Sequence, residues 1–120
     1  MKTIVVIDDE FGLVDVLAAS LSDVGYHVLT ASNGAQGLER MAEETPDLVM
    51  LDFMMPLLDG PGVLHAMAGE PRLARVPVIL MSSMPESFVR SRCEGYVAFL
   101  RKPFDFGTLI AAVDRALAGP

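Results

Sequence analysis

Asp47-Leu48-Val49-Met50-Leu51-Asp52-Phe53-Met54-Met55-Pro56-Leu57-Leu58-Asp59-Gly60 is the stretch on which the fold turns. Pro46-Asp47 is a turn signal. The apolar run from Leu48 to Leu51 is too short for a helix and is bounded like a buried strand. Asp52 stands at the end of that run, and Pro56 with Asp59-Gly60 takes the chain away in a loop. A buried strand with one carboxylate at its C-terminal end mounts a reactive group on a parallel sheet. Taken alone, Asp52 reads equally well as the cap of a turn.

The flanking sequence repeats the pattern. Ile4 to Ile7 is a β-branched run suited to a strand buried on both faces, and it ends in Asp8-Asp9-Glu10. Leu13, Val14, Leu17 and Leu21 recur at helical spacing, which predicts a helix over residues 10 to 24 stopped by Gly25. His27 to Thr30 alternates like an edge strand. Ser32-Asn33-Gly34 opens a second helix, with Leu38 and Met41 inward and Pro46 beyond its end. After Gly60-Pro61 a short helix is expected near Val63 to Ala68. Val76 to Met81 reads as a fourth strand with Pro77 near its start. Ser83-Met84-Pro85-Glu86 has the form of a capping box opening a short helix to about Cys93, which Gly95 follows. Tyr96 to Leu100 is the fifth strand. Lys102-Pro103-Phe104-Asp105 leads to a last helix with Leu109, Ile110, Val113 and Leu117 on one face.

Five strands alternating with five helices imply a parallel sheet with helices on both faces, so that every strand's C-terminal end lies at one edge. Asp8 and Asp9, Asp52, Ser82 and Lys102 all fall at that edge. The second strand contributes only Ala31 and Ser32, which suits an outer position. Singly, each of these residues has a bland reading: a helix cap, a turn residue, a solvated lysine. Their shared edge makes them a constellation. Three clustered carboxylates exceed what one lysine neutralises, and a hard divalent cation, Mg2+ or Mn2+, is the simple remedy. A carboxylate beside such a cation can act as a nucleophile toward a phosphoryl group. Lys102 and the Ser82 hydroxyl could then hold the transferred oxygens.

The chain's 120 residues bound the answer to one domain, residues 1–120, large enough for a real core. No apolar run approaches membrane-spanning length. The sequence opens directly on a strand with no signal peptide, and the single Cys93 excludes an internal disulfide; a cytoplasmic setting is the expectation. A net charge of −7, with 16 acids against 9 bases, argues against nucleic-acid capture by this domain and suits cations or basic partner surfaces. His27 and His65 lack ligand-like spacing. Most of the methionines fall on apolar faces as core filler. Cys93 reads as a packed small residue, and Arg72, Arg75, Arg90, Arg92 and Arg101 as a solvated basic surface. Ala118-Gly119-Pro120 reads either as a natural end or as the start of a linker.

These residues resemble the receiver domain of two-component response regulators over almost the whole chain, from residue 2 to about residue 118. Asp8-Asp9-Glu10 is similar to the acidic pocket after the first strand, and Asp52 with Met55-Pro56 and Asp59-Gly60 to the phosphoacceptor loop. Ser82 is similar to the hydroxyl position, Phe99 to the switch aromatic, and Lys102-Pro103-Phe104 to the lysine motif. The resemblance implies a five-stranded sheet of order 2-1-3-4-5. It implies that Asp52 takes a phosphoryl group from a histidine kinase or histidine phosphotransfer protein. It implies Mg2+ held by Asp9, Asp52 and the backbone carbonyl of Met54, with Asp8 acting through water, and a cis bond before Pro103. It further implies a monomer or phosphorylation-dependent dimer, acting on a downstream protein target or output domain. If the chain is complete, its output is protein contact or relay of the phosphoryl group.

The chain departs from that pattern in places. Ser82 stands where threonine is commoner. The step of 20 residues from Ser82 to Lys102 is shorter than usual, so the fourth helix or the loop before it should be short. Met54 and Met84, each two residues beyond a site residue, are poor hydrogen-bond acceptors for an attacking water, and their bulk should cover its approach; slow loss of the phosphoryl group is the expectation. A haloacid-dehalogenase-type phosphatase would need an acid at position 54. An FMN binder would need a phosphate loop where Asp8-Asp9-Glu10 stands. A receiver-fold scaffold acting without phosphorylation is the remaining alternative, and the intact Asp9, Asp52, Ser82 and Lys102 argue against it.

Overall fold

The computed structural model describes residues 1–119; Pro120, the end of the tail or linker discussed above, lies outside them. Five strands alternate with five helices: β1 (Thr3–Ile7), α1 (Phe11–Asp23), β2 (His27–Ala31), α2 (Gly34–Glu43), β3 (Leu48–Asp52), α3 (Gly60–Ala68), β4 (Val78–Ser82), α4 (Glu86–Arg90), β5 (Ala98–Arg101) and α5 (Phe106–Ala118). All pairings are parallel, in the order β2-β1-β3-β4-β5. The three inner strands are buried along their whole length, whereas β2 and β5 are only partly buried. Continuous apolar runs inside and mixed sequence at the edges are what such a layering demands.

Alternation along each strand builds two cores. Val5, Ile7, Val49, Leu51, Val78 and Leu80 pack on one face with Met41 of α2, Val63 and Met67 of α3 and Val89 of α4. Ile4, Val6, Leu48, Met50, Ile79 and Met81 pack on the other with Leu17 and Leu21 of α1 and Leu109 and Val113 of α5. The sheet is therefore sandwiched between three helices and two.

Several element boundaries differ from the sequence reading. α3 begins at Gly60, ahead of Val63, because the Asp59 side chain caps it by accepting from Gly62 N at 2.9 Å and Pro61 sits in the first turn. β4 begins at Val78. Val76 is engaged in a turn with Leu73, and Pro77, lacking an N–H, contributes only its carbonyl, to Val49 N at 3.0 Å. The capping box at Ser83 does not form. A residue before proline is driven to extended backbone, so Met84 cannot start a helix, and α4 begins after Pro85, which caps it without a side-chain bond. That helix is five residues long and ends at Arg90 rather than near Cys93, in keeping with the short Ser82–Lys102 step. β5 starts at Ala98 rather than Tyr96: its ladder opens with Val97 N donating to Val78 O at 2.9 Å, and it extends to Arg101 opposite Ser82.

Candidate active site

The strand order reverses between β1 and β3, and a parallel sheet opens a crevice at the carboxyl ends of its strands at such a point. Four strands deliver their chemistry there. Asp8 and Asp9 follow the last residue of β1, Asp52 is the last of β3, Ser82 is the last of β4, and Lys102 follows the last of β5. A backbone bond from Lys102 N to Ser82 O, 2.8 Å, ties the last two strand ends together.

Asp8, Asp9 and Asp52 each place a carboxylate oxygen within 4.8 Å of the others. Asp8 is fully buried and Asp52 is 6% exposed, while Asp9 faces solvent. The Lys102 ammonium lies among them, 2.7 Å from Asp8 Oδ2, 3.0 Å from Glu10 Oε1 and 3.3 Å from Asp52 Oδ1. Burial works against the ammonium, but its hydrogen bonds to Asp8 and Glu10 and the charges of Asp52 and Asp8 outweigh it and hold its pKa above the usual lysine value. It stays charged throughout the physiological range. Asp52 moves the other way. Burial, then the Asp8 charge, pushes its carboxyl up to about 7 despite the pull of Lys102. The pocket thus has an excess of buried negative charge. The all-oxygen donor set and its spacing fit a small hard cation that keeps several waters. Among the described residues, the acids able to share a cation in this way are Asp8, Asp9 and Asp52; His27 and His65 take no part.

The close packing of the β3–α3 connection fixes Asp52. Gly60 N donates to Phe53 O at 2.9 Å, and a side chain at Gly60 would lie 2.8 Å from Asp52 O. Leu57 within this loop has φ 70, a left-handed conformation uncommon outside glycine and asparagine. The Lys102-Pro103 bond is cis.

The remaining predicted residues sit around this centre without touching it. Ser82 is 4% exposed, and its hydroxyl is turned onto its own loop, accepting from Met84 N at 3.0 Å. Phe99 lies half-buried on β5 opposite Leu80, on the face covered by α4. Met54 is 63% exposed at the mouth of the crevice, whereas Met84 packs partly onto the core below it. Two features escaped the sequence reading. Glu10 was legible as part of an acidic run, but nothing in its spacing assigned it to Lys102, 92 residues away. Phe53, adjacent to Asp52, meets Phe88 of α4 edge to face at 6.2 Å, and Arg92 lies over the Phe88 ring at 4.8 Å. That contact links the β3–α3 loop to α4 and depends on tertiary packing alone.

Residues 4–114 match the response regulator receiver domain family. The DNA-binding dual master transcriptional regulator RpaA of Synechocystis sp. is 32% identical over 98% of this chain, which covers 49% of that protein. The chain spans about half or less of the curated relatives it matches. Among solved structures, the receiver domain of NtrX from Brucella abortus is 30% identical with a TM-score of 0.86, covering 98% of this chain and 99% of that one. The receiver domain of the sensor histidine kinase PA1611 from Pseudomonas aeruginosa, with a magnesium ion coordinated in its active site cleft, shares the fold at a TM-score of 0.91 and 24% identity, covering 98% of each chain. The match over nearly the whole sequence and the convergence of Asp8, Asp9, Asp52, Ser82 and Lys102 on one sheet edge lead to one conclusion: the chain belongs to the response regulator receiver domain family, whose members are phosphoacceptor signalling switches.

Proposed function

We propose that Asp52 is the phosphoacceptor, taking a phosphoryl group from the phosphohistidine of a kinase or phosphotransfer protein. The observation that carries this is its carboxylate, presented at the end of β3 among Asp8 and Asp9 with the Lys102 ammonium 3.3 Å away. An Asp52 oxygen forms the new bond to phosphorus as the phosphorus–nitrogen bond of the donor breaks. The imidazole nitrogen keeps the bonding pair. Asp9, Asp52 and the Met54 carbonyl would hold Mg2+, with Asp8 acting through water. The ion would neutralise charge on the transferring group. Lys102, 3.3 Å from Asp52 Oδ1, would stabilise the phosphoryl oxygens, and the fixed orientation of Asp52 on a buried strand supplies the positioning that this reaction needs.

The switch follows from where the Ser82 hydroxyl stands. Among the described residues, Ser82 Oγ is engaged only with the Met84 backbone, so a phosphoryl group on Asp52 offers it a stronger, charged acceptor. Turning Ser82 inward frees space on the β4–β5 side for the half-buried Phe99 ring and biases a local two-state element. The surface next to it includes a groove of about 1300 Å³ running along β5 and α5, with small residues such as Ala98, Ala111 and Ala112 in its lining. This supports contact with a downstream protein or output domain on that side. No helix among the described residues is long and apolar enough to cross a membrane; with the free thiol of Cys93, a cytoplasmic setting is the reading the chain supports.

The test is intact mass after incubation with acetyl phosphate and Mg2+. One phosphoryl group should add to the wild type and none to Asp52→Asn. Addition to the variant at the wild-type rate would remove Asp52 from the role. No addition to either would leave the receiver fold acting as a scaffold. In a parallel amide-shift experiment with beryllofluoride, changes should reach residues 83 to 100 as well as the Asp52 loop.

A further inference from the structure

Among the described residues, Lys102 is the cation that pairs with the acids of the crevice, and all of its donors are occupied before any phosphoryl group arrives. An ammonium has three N–H donors, and here three carboxylates stand within reach of it: Asp8 at 2.7 Å, Glu10 at 3.0 Å and Asp52 at 3.3 Å. The longest of the three is to the residue it is to serve. The ammonium is therefore drawn toward the β1 side, and its side chain is 13% exposed. Phosphorylation takes the carboxylate charge from Asp52 and weakens the longest of the three bonds, and the ammonium then moves onto the phosphoryl oxygens only as far as its β1-side bonds to Asp8 and Glu10 allow.

The two other partners differ in what release entails. The Asp8 side chain is fully buried, so bulk solvent cannot replace the Lys102 ammonium if that bond yields. The Glu10 side chain is 63% exposed and passes into solvent when released. Glu10 also has no competing task. It occupies the position capping α1, yet its side chain makes no capping bond there, and its backbone N–H is already satisfied by Asp8 Oδ1 at 2.9 Å. It lies outside the group of acids spaced to share a cation.

We propose that Glu10 is a positioning residue that holds Lys102 in its resting place and surrenders that hydrogen bond to the incoming phosphoryl oxygen. This rests on Asp52 being the phosphoacceptor. Glu10 acts through Lys102 and touches neither the phosphorus nor the leaving group. Its presence sets a threshold: the phosphoryl group must outcompete a carboxylate for the cation, which lowers occupancy of the switched state at a given supply of donor. The competing bond is solvent-exposed, so its effect is modest, about two- to five-fold in occupancy or affinity.

The experiment is a double-mutant cycle read by beryllofluoride affinity in saturating Mg2+ and by the initial rate of phosphoryl gain from acetyl phosphate. The chains are the wild type, Glu10→Gln, Lys102→Met and the combination. Glu10→Gln keeps the shape of the side chain and removes the charge that competes. It should bind beryllofluoride about two- to five-fold more tightly and gain the phosphoryl group correspondingly faster. In the Lys102→Met background the same substitution should change neither readout, because its route of action is gone. Glu10→Asp, which keeps the charge, should stay on the wild-type side of Glu10→Gln. Equal or weaker affinity in Glu10→Gln overturns the proposal. So does the same gain with and without Lys102, which would mark a general charge effect on the anion. Either result leaves Asp52 as acceptor intact. A wild type that neither binds beryllofluoride nor gains a phosphoryl group overturns the acceptor reading, and Glu10's role with it. Melting curves of the four chains separate these outcomes from misfolding.

Discussion

Replacing Asp52 with asparagine should make the metal-free domain more stable near neutral pH, even though it removes the residue on which the chemistry depends. Burial first, and then the Asp8 charge, raises this carboxyl from 3.8 to about 7, against the pull of Lys102. A carboxyl whose pKa is higher in the folded state than in the unfolded chain favours folding at low pH. That contribution is fully present below the unfolded value and is lost as pH rises through the folded one, here between about pH 4 and about pH 7. The full rise corresponds to about 4 kcal/mol. Water at the crevice mouth, where Asp9 and Met54 are exposed, screens the charge, and about 2 kcal/mol is the expected size. An amide in place of the carboxylate cannot ionise. It leaves Lys102 its bonds to Asp8 at 2.7 Å and Glu10 at 3.0 Å, so no cation is stranded. Urea unfolding followed by circular dichroism, with EDTA present, measures the effect across this pH range. The two chains should be close at about pH 4, and the variant should lead by about 2 kcal/mol at about pH 8. A gap that stays flat with pH, or a variant less stable at the higher pH, would refute the claim that Asp52 is held in an unfavourable charge environment.

Mg2+ should stabilise the unphosphorylated domain, by about 2.7 kcal/mol at one hundred times its dissociation constant. The gain should vanish in Asp9→Ala, and a calorimetric Tm indifferent to Mg2+ in the wild type would argue against the site. Changing Met54→Asn together with Met84→Glu offers hydrogen-bond acceptors to an attacking water and should speed phosphoryl loss about ten-fold, or about 1.4 kcal/mol in the barrier; equal decay curves would mean that these side chains do not govern water access. Leu57→Asn should stabilise the fold by about 0.5 to 1 kcal/mol, because Leu57 holds φ 70 with its side chain 84% exposed and so has strain to relieve and little packing to lose; a loss of stability in urea unfolding would show that the leucine side chain is needed there. Gly60→Ala should cost about 1 to 3 kcal/mol, since the added methyl meets Asp52 O at 2.8 Å and Phe53 Cα at 2.9 Å, both backbone. It should also slow phosphoryl gain by shifting Asp52, and unchanged kinetics with full stability would contradict this packing argument.

The architecture is legible in the chain because its signals are periodic and local. The run Leu48–Leu51 ending in Asp52, and its counterparts ending in Asp8, Ser82 and Lys102, mark strands buried on both faces; the alternation with helices makes the sheet parallel, and a parallel sheet brings those strand ends to one edge. Strand pattern alone therefore puts Asp8, Asp9 and Asp52 at one edge, and they do converge. Boundaries were less legible where two local rules compete. Ser83-Met84-Pro85-Glu86 satisfies the spacing of a capping box, yet proline's restriction on Met84 overrides it and starts α4 later. Other features belonged to tertiary structure alone. The raised pKa of Asp52 arises from burial and from Asp8, 44 residues away in sequence. The Phe53–Phe88 contact and the hold of Glu10 on Lys102 join residues that no periodicity relates. Side-chain reach, desolvation and the choice among competing carboxylates depend on distances of a few ångströms between segments far apart in the chain, and folding alone sets those distances.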